Sequence, residues 1–159
     1  GIVAKGKDDS FLSDCTIETD QLALIPDSYI DMTAEKIRIY KELDSLTSDK
    51  EIENMKVRLS DRFGNLPEEV LRLFDIVRIR QLGQKLGFEK IIIKNGVMIA
   101  FFISNPLSQY YKSDVFTKIL ENISLNPKVF ELKQNDSKLR IFAKNIDSIS
   151  KAYETLSKL

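Results

Sequence analysis

The sequence predicts an α+β fold: an N-terminal three-helix segment, then a β-hairpin–α–β-hairpin–α unit whose helices pack on an antiparallel sheet. Three observations predict it. Apolar residues recur at helical spacing through the stretch 33–86. After Gly87 the pattern changes to β-branched and aromatic runs split by Asn95-Gly96, a strong hairpin signal. A second pair of such runs surrounds Asn135-Asp136-Ser137, with one helical pattern before it and another after it.

Residues 1–25 read as an N-terminal arm or linker carrying a short strand, and 26–159 as a single α+β domain. Residues 1–13 are polar, contain glycine and lack sustained periodicity. In 14–20, Cys15, Ile17 and Thr19 alternate with Asp14, Thr16, Glu18 and Asp20, the period of a half-buried strand. The first helix, about 33–46, carries Ile39, Leu43 and Leu46 on one stripe, with Thr33 as its N-cap. The second opens on the capping box Ser48-Asp49-Lys50-Glu51, presents Ile52, Met55, Leu59 and Phe63, and stops at Gly64 as a left-handed C-cap. The third starts with Pro67 in its first turn and runs to about Leu86, apolar around most of its circumference, so it is expected to be central. Strands follow at 89–94 and 96–103, a helix at about 112–124, strands at 128–133 and 138–143, and a last helix from about 146.

Composition bounds the chemistry. The 159 residues are 43% hydrophobic and 30% charged, a globular balance. No apolar run of 18 residues exists, so no transmembrane helix and no membrane partner are expected. No secretory leader opens the chain, and a cytoplasmic location fits. Its start, Gly1-Ile2-Val3 without methionine, reads as a piece of something longer. Histidine is absent and Cys15 is the single cysteine, which excludes His-based catalysis, His-containing zinc sites and internal disulfides. No phosphate-binding loop or dinucleotide fingerprint is present, and the carboxylates lack calcium-loop or two-metal spacing. The expectation is therefore no catalytic residue, no metal and no cofactor, with Cys15 a small buried hydrophobe.

Zero net charge hides an asymmetry. Residues 1–66 hold 9 Lys+Arg against 14 Asp+Glu, and residues 67–159 hold 15 against 10. A nucleic-acid reading draws on Arg72, Arg78, Arg80, Lys85, Lys90 and Lys94, with Tyr110 and Tyr111 to stack bases. Those cations form no single helical stripe, so a solvated surface is the better-supported reading. The second helix is different. With Leu59 at 0°, Arg62, Arg58 and Asp61 fall at about 300°, 260° and 200°, one charged band beside the apolar stripe. The spacing alone favours a structural role, with Arg62 over the helix C-terminus and Asp61 paired to Arg58. The functional reading is a docking band.

Asp14-Cys15-Thr16-Ile17-Glu18, then Ile25-Pro26-Asp27-Ser28-Tyr29-Ile30, Lys36-Ile37-Arg38-Ile39-Tyr40-Lys41, Asp61-Arg62-Phe63-Gly64-Asn65-Leu66-Pro67 and Leu82-Gly83-Gln84-Lys85-Leu86-Gly87, in that order, resemble the C-terminal domain of bacterial transcription-repair coupling factor. The resemblance is strong over roughly 14–94 and one of layout beyond. It implies a non-catalytic regulatory domain of an ATP-driven DNA translocase. Such a domain packs on the UvrB-like module of its own chain, hides the UvrA-binding surface and restrains the motor until RNA polymerase is engaged. DNA is then reached only through the full-length motor. Carried over residue by residue, the family contact at the end of the second helix falls on Asp61 and Arg62. Where some relatives carry an acid three residues before the Asp, this chain has Arg58, which implies a compensating acid on the partner. The alternative is an accessory nucleic-acid-binding domain of a DNA repair or helicase protein, using the basic 72–94 region.

Overall fold

A computed structural model of the chain describes residues 14–136 and 138–159; the expected arm at 1–13 and Ser137 of the second turn lie outside the described residues. The elements in order are β1 (Thr16–Thr19), α1 (Thr33–Ser45), α2 (Asp49–Phe63), α3 (Glu68–Leu86), β2 (Phe88–Lys94), β3 (Val97–Phe102), a short 3-10 helix (Gln109–Lys112), α4 (Asp114–Leu125), β4 (Phe130–Asn135), β5 (Lys138–Lys144) and α5 (Ile149–Leu156). The five strands form one sheet in the order β1-β2-β3-β5-β4.

Local chemistry sets most boundaries. Ser48 caps α2 by accepting the Glu51 backbone N–H at 3.2 Å, while the Glu51 carboxylate takes the Thr47 N–H at 2.7 Å. Those Thr47 bonds hold the Glu51 carboxyl below its ordinary pKa. Ser113 and Ser148 cap α4 and α5 in the same way. The β2–β3 turn places Asn95 and Gly96 at positive φ, as a two-residue hairpin requires.

Some boundaries depart from expectation. Met32, not Thr33, stands at the N-cap of α1, with no side-chain bond. Pro67 sits at the N-cap of α3 rather than inside its first turn. The last helix begins at Ile149, because Ile146 is drawn into the core and its N–H bonds the Gly96 carbonyl at 2.8 Å. The sheet is mixed rather than purely antiparallel: β1 pairs with β2 in parallel, Ile17 beside Ile91, while the other three pairings are antiparallel. A parallel neighbour needs a long crossover, and the three helices between β1 and β2 supply it.

Two buried clusters result. One lies between the sheet and the helices α3, α4 and α5, around Ile91, Ile93, Met98, Phe102, Ile119 and Ile141. The other gathers α1 and α2 on α3, around Ile39, Leu43, Ile52, Met55 and Phe74. Helix α3 contributes Val70, Phe74 and Val77 to the second cluster and Ile79 to the first, which explains its nearly all-round apolarity. It comes closest to the sheet at Gly83, where a Cβ would stand 2.8 Å from the Cys15 Sγ and 3.0 Å from Ile91 Cδ1. Among the described residues, no helix is long and apolar enough to cross a membrane.

Cys15 is buried, as expected of a small hydrophobe, and burial pushes its thiol from 9.0 up to about 12. The folded protein therefore keeps a proton that the unfolded chain releases above pH 9. Stability should fall as pH rises from about 9 toward 12, with a slope approaching about 1.4 kcal/mol per pH unit from this group. Urea unfolding across that range checks it, with Cys15→Ala as the control that removes this contribution and leaves that of Tyr29, Tyr110 and Tyr111, whose hydroxyls are also pushed up by burial.

Candidate functional site

Three of the five segments that carry the family resemblance, 25–30, 36–41 and 61–67, meet at one end of the α1–α2 pair. The Tyr29 hydroxyl donates to the Gly64 carbonyl at 2.8 Å, with the Leu59 carbonyl at 3.2 Å, so the loop after Pro26 ties down the end of α2. Its ring tilts against Phe63, with centroids 6.0 Å apart. Helix α1 holds the same loop from the other side. The Ile25 N–H donates to the Tyr40 hydroxyl at 2.8 Å, and Lys36 pairs with Asp27. The helix stop itself is a correction. Gly64 has φ 94° and ψ −173°, a glycine-only region distinct from the left-handed C-cap expected, and it sends the chain out extended.

The charged band projects beside this turn. Arg62 donates to the Glu35 carboxylate of α1 at 2.7 Å, and its guanidinium lies 4.8 Å from the Phe63 ring centre. Arg38 donates to the other Glu35 oxygen at 3.0 Å. Glu35 is thus a nearly buried carboxylate shared by two exposed guanidinium groups. Four residues earlier on α2, Arg58 grips Glu42 with both arms of its guanidinium, which raises the Arg58 pKa above its ordinary value. The pairings Glu35–Arg62 and Glu42–Arg58 run in opposite order along the two helices and align them antiparallel.

These pairings correct the expected Asp61–Arg58 bond. Arg58 turns to Glu42 instead, across to α1. Asp61 is exposed and has no hydrogen-bond or ion-pair partner among the described residues. One turn before it, Val57 is 59% exposed. The surface here is therefore a free carboxylate, an exposed methyl pair and two guanidinium groups already oriented by α1. Sequence reasoning named the three α2 residues and did not name Glu35 and Glu42. Their signal was present, because Glu35, Arg38 and Glu42 sit on one α1 face at helical spacing, but nothing local says which helix that face meets.

The three arginines of the basic 72–94 region do not converge. Arg72 donates to the Leu22 carbonyl at 2.9 Å, Arg78 pairs with Asp49 and Glu53, and Arg80 pairs with Asp44. Tyr110 is fully buried, its hydroxyl on the Leu86 carbonyl at 2.5 Å, so it has no face to offer a base. Among the described residues, no group of three or more His, Cys, Asp or Glu is placed to hold a metal ion.

Comparison with known proteins gives a consistent picture. The TRCF domain family matches residues 19–113. The transcription-repair-coupling factor of Rickettsia bellii is 34% identical over 132 residues, 82% of this chain and 11% of that protein. That of Rickettsia prowazekii is 36% identical over 124 residues, 77% and 10%. That of Escherichia coli is 40% identical over 75 residues, 47% and 6%. The chain thus spans about a tenth of the length of the first two. A crystal structure of the C-terminal domain of a transcription-repair coupling factor has the same fold, with TM-score 0.76 at 18% identity, covering 92% of this chain and 89% of that one.

The shared Glu35 carboxylate should be the stronger of the two cross-helix pairings. A double-mutant cycle of Glu35→Gln with Arg62→Gln, read by urea denaturation, should give a coupling of about 0.5–1 kcal/mol. The more exposed Glu42–Arg58 pair should give less.

Proposed function

This chain belongs to the transcription-repair coupling factor family, as its TRCF domain, and on that premise we propose that it is a non-catalytic regulatory module that docks on the UvrB-like module of its own full-length chain. The observation that carries the reading is the exposed end of α2, where Asp61 stands without a partner beside a pre-oriented Arg62.

A carboxylate and a guanidinium side by side on one helical edge fit a complementary cation–anion pair across an interface. Asp61 is ready to accept, and meets it without first breaking a bond. Arg62 is fixed by Glu35 and Phe63, so little rotamer freedom remains to be lost when it docks. Arg58 stands differently. Glu42 supplies it with a carboxylate from within the domain, so in this reading it braces α2 on α1 and extends the positive rim, with no compensating acid needed on the partner.

Masking of UvrA binding and restraint of the motor follow from the tether. Within one chain the effective concentration of the two modules is high, so a modest polar interface stays closed although each contact is weak. An activating partner such as stalled RNA polymerase then opens it with a few kcal/mol of differential binding. In this reading the domain acts in DNA repair through the surface it covers, and does so in the cytoplasm.

Charge reversal tests it. In the full-length protein, Asp61→Arg combined with Arg62→Glu should raise UvrA binding and ATP turnover. In the isolated chain the same pair should keep a cooperative melting transition, lowered because Arg62→Glu now faces Glu35, and weaken binding to the UvrB-like module at least about tenfold, since juxtaposed like charges cost several kcal/mol. Arg58→Ala should change that affinity much less. Unaltered affinity in a folded double mutant removes the site assignment.

A further inference from the structure

The sheet has a second face. Ile92, Val97, Ile99, Phe101 and Phe142 alternate with the core positions along β2, β3 and β5, and none of them belongs to either buried cluster. The helices α3, α4 and α5 all pack on the opposite side. Strand register fixes what this open face displays. One cross-strand row runs Lys90, Phe101, Arg140, Lys133, and the next runs Ile92, Ile99, Phe142, Glu131. A third places Lys94, Val97 and Lys144 side by side. Cations and apolar or aromatic groups therefore alternate over four strands.

Charge is sorted as well. Among the described residues the face carries Lys90, Lys94, Lys133, Lys138, Arg140 and Lys144 against Glu18 and Glu131, with Glu89 at its rim. Glu18 and Glu131 are taken up by Lys90 and Lys133, and Glu89 by the Ser104 N–H and hydroxyl. Lys94, Lys138, Arg140 and Lys144 have no carboxylate partner among the described residues, and the Arg140 Nε is buried with no acceptor. Both rings lie under cations. The Lys90 Nζ is 5.1 Å from the Phe101 centre, and Lys133 and Arg140 stand 4.4 and 5.2 Å from that of Phe142. A concavity of about 490 Å³ opens beside Phe101, Lys90 and Lys138, within the usual size range of small-molecule sites.

We infer that this open sheet face binds single-stranded nucleic acid, with bases on Phe101 and Phe142 and phosphates on the surrounding lysines and Arg140. A polyanion answers the excess of unpaired cations, and a base answers a ring that the core leaves out. Phe101 and Phe142 are diagonal neighbours on adjacent antiparallel strands, about 7–8 Å apart, and can serve successive bases as a stacking platform. The cation that covers each ring in the free protein is the one that reaches a phosphate once a base takes the ring. An acidic protein segment would answer the charge but leaves the two rings unexplained. The zero net charge of the chain concealed this surface, because its cations come from three strands and only the sheet brings them together. The inference is independent of the docking reading; of the basic residues of 72–94 it uses Lys90 and Lys94, which lie on β2, and none of the arginines of α3.

The test is fluorescence anisotropy of the intact 159-residue chain with labelled dT20 and U20 oligonucleotides. At about 50 mM KCl both should bind, and for four neutralised phosphates the affinity should fall about fifty-fold at about 200 mM. Tighter binding of U20 assigns RNA, and tighter binding of dT20 assigns DNA. Phe142→Leu and Phe101→Leu should each weaken binding at least about fivefold. The exposed pair Lys138→Glu with Lys144→Glu, which removes no core group, should weaken it and flatten the salt dependence. No anisotropy change with about 100 µM protein at the lower salt overturns the inference. So does binding that none of these variants alters while they retain the parent melting transition. Displacement of dT20 by polyglutamate with the Phe variants unaffected also overturns it, and assigns the face to an acidic protein.

Discussion

Helix α3 must bury two faces at once, and the rest of the molecule is arranged around that constraint. Val70, Phe74 and Val77 are covered by α1 and α2, while Ile79, with Leu82 and Leu86, is covered by the sheet and α5. Burying one such side chain is worth about 1.5–3 kcal/mol, a sizeable share of the roughly 5–15 kcal/mol by which a whole domain is stable. Neither core could give up its share of α3 cheaply. The helix therefore holds the α1–α2 pair and the sheet as one body, and gives both outer surfaces a rigid support. Gly83 and Cys15 mark the tightest point of that arrangement, which accounts for a glycine inside an otherwise uninterrupted helix.

The support explains why weak surface ions can have a defined geometry. Arg58 and Arg62 are long, exposed side chains, and a surface ion pair of this kind contributes at most about 1 kcal/mol. Their value lies in orientation. Glu35 and Glu42 come from a neighbouring helix whose position the Phe74 cluster fixes. Tyr29 and Gly64 fix the end of α2 where Asp61 projects. The proposed docking contact would benefit from such a platform, because its ions are placed in advance.

How much of this was legible in the sequence depended on whether the governing contact was local. The capping box at Ser48 and Glu51, the Asn95-Gly96 turn and the all-round apolarity of α3 were read directly, because each is decided within one turn of chain. The parallel pairing of β1 was not, since nothing near Ile17 specifies Ile91 as its neighbour. Thr33 and Pro67 were each misplaced by one position relative to the cap, the usual scale of uncertainty at helix ends. At the candidate site, the family segments pointed to Asp61 and Arg62 and helical spacing added Arg58 to their band, whereas the α1 partners of the two arginines needed the fold. The cations of the sheet face were legible only as scattered lysines, because a register shift of a single residue would have turned each of them inward.

The proposed docking on a neighbouring module should show in the backbone of this chain. Hydrogen exchange of residues 57–66, compared between the full-length protein and the 159-residue chain alone, addresses this most directly. The account predicts slower exchange at the end of α2 and in the turn after it within the full-length protein, and loss of that protection when stalled polymerase is bound. Equal exchange in the full-length protein and the isolated chain would contradict it.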